Sequence, residues 1–179
     1  MFYWLTILSD GGDFFNLFRY ITFRAGGAFL TSLIFGFVFG RPLINLLRRR
    51  QGQGQPIRSD GPEAHFSKAG TPTMGGALIL GALVVSTVLW ARLDNMHIWV
   101  VLFVTIGFGA IGFADDYAKV SKQTVAGVSG KIRLGLGFGI ALVASLVAAQ
   151  LHPDGLSTQV AVPILKDALV PFGILFFPF

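Results

Sequence analysis

Hydrophobic residues along the chain fall into long runs that short polar stretches separate. A helix needs about 20 consecutive apolar residues to cross a hydrocarbon core about 30 Å thick. Four runs approach this length with almost no charged residues, and a fifth run begins near the end of the chain. The pattern predicts an all-α polytopic membrane protein with four complete transmembrane helices and a truncated fifth. The predicted spans cover residues 25–47, 69–91, 98–114 and 134–151 and, in part, 168–179.

The last apolar run ends at Phe179 without a flanking polar anchor and is too short to cross a membrane. We therefore expect residues 1–179 to form a single membrane domain, the amino-terminal part of a larger protein. A cleaved signal peptide is not expected, because the first 18 residues contain Asp10 and Asp13 but no lysine or arginine.

The composition agrees with a membrane protein, since 53% of the residues are hydrophobic and only 13% are charged. Cysteine is absent from the sequence, which excludes disulfides, thiolate metal sites and cysteine nucleophiles. The formal net charge is +5, so the position of the basic residues becomes informative.

Basic residues concentrate in two of the four loops between the predicted spans. By the positive-inside rule, these two loops, the first and the third, lie in the cytoplasm and the amino terminus is periplasmic. Attraction to anionic lipid head groups is an alternative reason for the same charges. Nucleic acid is not an expected partner, because the charge flanks apolar spans. The basic residues are Arg48, Arg49, Arg50, Arg58 and Lys68 in the first loop, and Lys119, Lys122, Lys131 and Arg133 in the third.

Glycine occurs 23 times, often inside the predicted spans. Small residues four apart let transmembrane helices approach closely, so we expect glycine pairs to mark helix contacts. The GxGxxG pattern at 107–112 lies inside the third span without a preceding strand, and we do not interpret it as a dinucleotide loop. The expected contact pairs are Gly36 and Gly40, Gly135 and Gly139, and Gly75 and Gly76.

Two adjacent carboxylates, Asp115 and Asp116, follow the third span. The carboxyl end of a helix disfavours negative charge, so this pair requires compensation. Lys119 can reach either carboxylate along the helix, which gives the simple alternative of an ion pair at a solvated helix end. Mg²⁺ would offset both charges and commonly binds one or two carboxylates together with substrate phosphates. We favour a metal-assisted phosphoryl site, since ionisable residues at membrane helices are functional candidates.

The stretch before the second span is dense in polar and turn residues. Thr71 and Pro72 form the pattern of an N-cap followed by proline at the first helical position. With Lys68 just before it, this helix start could bind a phosphate, although Lys68 could equally snorkel to the interface. Lys131 precedes the fourth span in a similar way. A bundle would bring these lysines and Lys119 to the same membrane face as the aspartates.

The three histidines, His65, His97 and His152, show no metal-ligand spacing. We expect them to lie in loops or at the interface.

Two stretches resemble the MraY family of phospho-MurNAc-pentapeptide transferases: Pro56 to Gly76, with its core Lys68-Ala-Gly-Thr-Pro-Thr-Met-Gly-Gly, and Phe113-Ala-Asp-Asp-Tyr-Ala-Lys119. The resemblance implies a multi-pass protein of the bacterial inner membrane whose active site faces the cytoplasm. It implies transfer of phospho-MurNAc-pentapeptide from UDP-MurNAc-pentapeptide to undecaprenyl phosphate with Mg²⁺, giving lipid I and UMP for peptidoglycan synthesis. The oligomeric alternatives are a monomer and a homodimer.

By matching position, the resemblance implies that Asp115 and Asp116 are catalytic and lie near Mg²⁺, one of them deprotonating the lipid phosphate. It implies substrate binding by Lys68, Thr71, Lys119 and Lys131. The family's later segment with a further catalytic aspartate, and its triple-histidine loop, have no match in this sequence. We therefore expect the 179-residue chain to be inactive alone.

Three other interpretations stay open at this point. A sibling transferase would use UDP-GlcNAc, since related sugar-phosphate transferases share the paired aspartates. A transporter would use the carboxylates to line a cation path, but such a site should lie nearer the membrane centre, where a carboxylate costs roughly 2.5 to 3.5 kcal/mol. The third interpretation is an inert membrane fragment.

Overall fold

The computed structural model describes residues 1–52, 72–124, 126–151, 159–161 and 169–171. Within these ranges, two short 3-10 helices come first, followed by four α-helices and two short strands. The 3-10 helices cover Phe2–Leu8 and Phe14–Arg19, and the α-helices cover Ile21–Gln51 (α1), Gly76–Trp90 (α2), Met96–Lys122 (α3) and Gly130–Gln150 (α4). The strands are Gln159–Ala161 (β1) and Leu169–Pro171 (β2).

Three of the helices, α1, α3 and α4, are long and apolar enough to cross a membrane. Helix α2 is equally apolar but has 15 residues, which corresponds to a length of about 22 Å. The coarse prediction of a multi-helix membrane protein is thus supported. Helix α1 continues through Pro42, although Arg41 and Pro42 interrupt its apolar run.

The predicted start of the second span is wrong. Pro72, Thr73 and Met74 are not helical, and α2 begins at Gly76. Met74 has a φ of 70°, in the left-handed region, which a right-handed helix cannot include. Pro72 is therefore not the first residue of a helix, and Thr71 lies outside the described residues.

Contacts between consecutive helices show that each runs antiparallel to the next. Close approaches pair Gly27 with Trp90 and Gly40 with Leu78 between α1 and α2, Gly109 with Leu80 between α3 and α2, and Gly107 with Ile140 between α3 and α4. At Gly27, Gly107 and Gly109, a Cβ atom would meet the neighbouring side chain at less than 3.0 Å. Glycine thus permits close helix packing, as predicted for membrane helices.

Most of the glycines predicted to make contacts are not those that do. In the described part of the chain, nothing lies within 4 Å of a Cβ built at Gly36, Gly75, Gly76, Gly135 or Gly139. On α4 the contact residue is instead Gly137, which faces Phe108. Two residues along a helix correspond to about 200° of rotation, so the 135 and 139 positions face away from α3.

The partial fifth helix predicted over 168–179 is wrong at residues 169–171. These residues form β2, which pairs antiparallel with β1, with Val160 opposite Val170. Pro171 has no N–H for a helical hydrogen bond, and the residue before a proline favours extended backbone. Residues 168 and 172–179 lie outside the described part.

The 3-10 helices fold against the end of α2 through an aromatic cluster. The ring of Trp90 lies 4.8 Å from Phe2 and 6.0 Å from Phe18, centroid to centroid, and Phe18 packs edge-on against Phe23 at 5.2 Å. The terminal amine of Met1 donates to the carbonyl oxygen of Val88 at 3.2 Å. This end of the bundle is thereby closed by the first residues of the chain.

Candidate functional site

Asp115 is the buried centre of a polar cluster near the carboxyl end of α3, with only 5% of its surface exposed. The prediction that the two aspartates follow the end of this helix is wrong, because α3 continues for six residues beyond Asp116 to Lys122. The Oδ2 of Asp115 lies 2.7 Å from Nζ of Lys119, one helical turn later. Its Oδ1 accepts from the backbone N–H of Val128 at 2.8 Å and lies 3.3 Å from a guanidinium nitrogen of Arg133. Two cations and one backbone donor therefore stabilise the ionised carboxylate.

Asp116 has a different environment, although it is the next residue. Its Oδ2 accepts a hydrogen bond from the hydroxyl of Thr73 at 3.0 Å. Its Oδ1 is 3.9 Å from Nζ of Lys119, at the limit of an ion pair, and 33% of the side chain is exposed. Part of this carboxylate is thus open to an incoming group.

Thr73 is held in place by Gln51, the last residue of α1. The side-chain amide of Gln51 accepts from the Thr73 N–H at 2.8 Å and donates to the Thr73 carbonyl oxygen at 3.1 Å. Gln51 is only 7% exposed, and these two bonds satisfy both the oxygen and the nitrogen of its buried side-chain amide. The contacts from Gln51 through Thr73 to Asp116 connect three parts of the chain. These parts are the end of α1, the approach to α2 (residues 72–75), and α3.

The turn after α3 brings a backbone donor to Asp115. Gln123 adopts a left-handed conformation at the helix end, and the N–H of Thr124 bonds to the carbonyl of Lys119 at 3.2 Å. The chain then folds back, so that the N–H of Val128 reaches the carboxylate. A Cβ at Gly127 would clash with Asp115 and would lie 2.9 Å from Cε of Lys119. This close approach requires glycine.

The structure brings together three of the predicted site residues, Asp115, Asp116 and Lys119, and the ion pair anticipated from their spacing is present. Lys131 is exposed, and no hydrogen bond or ion pair joins it to either aspartate within the described residues. Arg133, two positions later on α4, takes that place.

Several predicted residues are outside the acidic cluster or outside the described residues. Lys68 and Thr71, predicted to bind substrate, lie outside the described part, as do His65 and His152. His97 lies at the start of α3, at the opposite end of that helix, where its N–H is capped by the side chain of Asn95 at 3.0 Å.

Five contributors were not predicted: Gln51, Thr73, Gly127, Val128 and Arg133. Thr73 lies in the polar stretch that leads into the second predicted span, and Arg133 in the basic stretch before the fourth, so the sequence marked both regions as polar. Their partners depend on how the helices pack, which residue spacing does not specify.

The acidic pair offers unequal opportunities to a metal ion. Asp116 and the hydroxyl of Thr73 supply hard oxygen donors of the kind Mg²⁺ prefers. Both oxygens of Asp115 already face nitrogen donors, whereas part of the Asp116 carboxylate is exposed. Among the residues described, no group of three or more potential ligands comes together, and Mg²⁺ can complete its shell with substrate phosphates and water.

An apolar groove between α3 and α4 leads to the buried aspartate. The groove has a volume of about 730 Å³ and ends at Asp115 and Arg133. Its walls are formed by apolar residues that include Phe108, Ile111, Leu134 and Phe138. The groove can therefore accept part of an apolar chain whose polar end reaches the cluster.

A family signature and three similar proteins all carry the same name. Residues 68–80 match the phospho-N-acetylmuramoyl-pentapeptide-transferase signature 1. Curated proteins of that name are 71% identical in Ruegeria sp. (strain TM1040) and 69% identical in Ruegeria pomeroyi, each over 179 residues. The protein of that name from Dinoroseobacter shibae is 66% identical over 180 residues. In each case the match covers 100% of this chain and 50% of the relative, so the chain spans about half the length of these relatives.

Proposed function

Because the chain belongs to the phospho-N-acetylmuramoyl-pentapeptide-transferase family and matches the amino-terminal half of its members, we propose that it supplies part of that transferase's active site. The proposed reaction transfers phospho-MurNAc-pentapeptide from UDP-MurNAc-pentapeptide to undecaprenyl phosphate, giving lipid I and UMP. An oxygen of the lipid phosphate forms a bond to the sugar-bearing phosphorus, and the bond from that phosphorus to UMP breaks.

One observation carries this proposal. Thr73 lies inside the segment that matches the family signature, and its hydroxyl binds Asp116 at 3.0 Å. The hydrogen bond joins the signature segment to the acidic pair, two features that are 43 residues apart in sequence. A phosphate-transfer site built from both is the simplest function for this contact.

The polyprenyl substrate would occupy the groove between α3 and α4. Its isoprenoid chain would lie against the apolar walls, and its phosphate would meet Arg133, whose side chain is 49% exposed. A guanidinium has five N–H donors, so Arg133 can bind a phosphate while it keeps its contact with Asp115. Lys119 adds a second positive charge at the same place.

The two aspartates would act differently. Asp116 is the carboxylate open to substrate, and we assign to it the acceptance of a proton from the lipid phosphate or a contact with Mg²⁺. The metal, when bound, would neutralise negative charge on the reacting phosphates. Asp115 is a positioning residue, because it holds Lys119 and Arg133 through its two oxygens.

We place the site at the cytoplasmic face of the inner membrane. The last turn of α1 carries Arg48, Arg49 and Arg50, and the last turn of α3 carries Lys119 and Lys122. These charges lie at the end of the bundle that holds the acidic pair. The positive-inside rule assigns such an end to the cytoplasm.

The test uses a complete transferase, in which these 179 residues are followed by the second half of the Ruegeria sp. (strain TM1040) relative. The purified protein is incubated with Mg²⁺, undecaprenyl phosphate and UDP-MurNAc-pentapeptide. We expect lipid I and UMP in equal amounts, and no product with UDP-GlcNAc as the control substrate. Consumption of UDP-GlcNAc without lipid I formation would refute the proposal.

A further inference from the structure

A second polar cleft lies at the opposite end of the bundle from the acidic pair. It is formed by the start of α1, the end of α2 and the turn into α3, and its volume is about 360 Å³. We call it the arginine cleft, because Arg24 and Arg92 line it together with Asn95 and Trp90. From Arg24 to the end of α1 the helix rises about 40 Å, so the cleft is remote from the proposed transfer site.

The guanidinium of Arg24 is fixed but incompletely bonded. It lies over the ring of Tyr3, 5.0 Å from the ring centroid. Its Nε atom is buried and has no hydrogen-bond partner among the residues described. A buried donor without an acceptor is unfavourable, and an oxygen atom from a ligand in the cleft would satisfy it.

The same tyrosine holds a second cation at the mouth of the cleft. Arg92 lies over the Tyr3 ring at 4.7 Å and donates to Asp94 at 2.7 Å. The hydrogen bond from Arg92 lowers the pKa of the Asp94 carboxyl, and the charge of Arg24 adds to this lowering, so a single carboxylate faces two cations. The mouth therefore keeps an excess of positive charge.

The arginine cleft continues into an apolar groove between α1 and α2. This second cavity, of about 580 Å³, shares Ala28, Ser86 and Thr87 with the cleft and extends along α1 to Gly36. The hydroxyl of Ser86 is buried and has no partner in the described part of the chain, and the residue is 5% exposed. From Arg24 to Gly36 the groove follows about 18 Å of helix, slightly more than half of a hydrocarbon core about 30 Å thick.

We propose that the arginine cleft and its groove bind an anionic glycerophospholipid of the leaflet opposite the transfer site. The phosphate meets Arg24 and Arg92, and one acyl chain lies in the groove between α1 and α2. A positive mouth joined to an apolar channel of one leaflet's depth matches a molecule with a phosphate at one end and a hydrocarbon chain at the other. This site is independent of the proposed transferase function.

The test is quenching of Trp90 fluorescence by brominated phospholipids, because Trp90 lines the cleft and bromine quenches indole at close range. The complete transferase is reconstituted in phosphatidylcholine vesicles that contain a minor fraction of brominated phosphatidylglycerol or of brominated phosphatidylcholine. The Trp90 signal is the difference between the parent protein and Trp90→Phe. We expect several-fold stronger quenching by the anionic lipid. If Trp90→Phe does not fold, Trp90→Tyr supplies the same difference, which is needed because the parent protein also contains Trp4 and Trp99.

The double variant Arg24→Gln, Arg92→Gln should lose the preference for phosphatidylglycerol. Arg19→Gln is the matched control, because Arg19 belongs to the neighbouring 3-10 helix and does not line the cleft. Equal quenching by both lipids would overturn the proposal, and so would protection of Trp90 from both, which indicates that a protein segment covers the groove. Thermal stabilisation by inorganic phosphate, without quenching by brominated phosphatidylglycerol, would assign the arginines to a soluble anion and would also overturn it.

Discussion

At the scale of single residues, the main finding is that two adjacent aspartates have different surroundings. Successive residues of a helix point about 100° apart, so Asp115 faces α4 and the turn before it, while Asp116 faces the approach to α2. The sequence indicated the chemical importance of this pair but treated its members alike. Their division depends on Val128, Arg133 and Thr73, which reach the pair only through the packing of the helices.

The first prediction separates the two aspartates by replacing each with asparagine in the complete transferase. Asp115→Asn should lower stability by roughly 2 to 3 kcal/mol, because Lys119 and Arg133 lose their shared partner. Asp116→Asn should leave stability nearly unchanged and lower kcat about 100-fold or more, as expected for loss of a proton acceptor or metal contact. Thermal unfolding and lipid I formation measure the two effects, and the reverse pattern would contradict the assignment.

The second prediction concerns Gly127, whose missing side chain leaves room for the Asp115 carboxylate. Gly127→Ala should lower stability by about 1 to 3 kcal/mol and reduce activity, because the added methyl group displaces either Asp115 or Lys119. Gly130→Ala is the control, since nothing lies within 4 Å of a Cβ at Gly130 in the described structure. Equal effects of both substitutions would show that the cluster does not depend on this close approach.

At the scale of elements, hydropathy located three helices of membrane-spanning length and the shorter apolar helix α2, because a helix satisfies its own backbone hydrogen bonds in lipid. Hydropathy did not predict the first and last residues of the helices, because individual contacts determine where a helix begins and ends. Helix α2 begins four residues after Pro72 because Met74 is left-handed and Thr73 is bound by Gln51. The strand at 169–171 reflects Pro171 and a pairing with β1 that hydropathy does not detect.

The third prediction tests the link between α1 and the approach to α2. Gln51→Ala removes both hydrogen bonds to the Thr73 backbone and should cost about 1 to 2 kcal/mol of stability. Because Thr73 also binds Asp116, the variant should lower lipid I formation as well. Gln150→Ala is the control, since Gln150 is likewise the last residue of its helix but is exposed. A neutral Gln51→Ala would indicate that Thr73 is positioned by other contacts.

At the scale of the whole molecule, the helices form a sequential antiparallel series with chemistry at both ends. One end holds the acidic pair and most of the basic residues that the structure describes, and the other holds the aromatic cluster and the arginine cleft. Charge distribution predicted which end should face the cytoplasm. The arginine cleft was not predictable, because Arg24 lies directly before the first predicted span and Tyr3 approaches it only after the amino terminus folds back.

The fourth prediction is the orientation itself. The sequence lacks cysteine, so single cysteines can be introduced by Asp10→Cys and Lys122→Cys and labelled with a membrane-impermeant maleimide. Both positions are exposed and lie at opposite ends of the bundle. We expect labelling of position 10 in spheroplasts and of position 122 only after permeabilisation. Labelling in the opposite order would reverse the proposed topology.

The paired hydrogen bonds between Gln51 and Thr73 have a further consequence for the variability of the protein. They join the last residue of α1 to a residue just before α2, so the chain between Gln51 and Thr73 forms a closed ring. The entropy of closing such a ring changes only slowly with the number of residues within it. Changes in chain length between Gln51 and the signature segment that begins at residue 68 should therefore be tolerated without moving Thr73 away from Asp116.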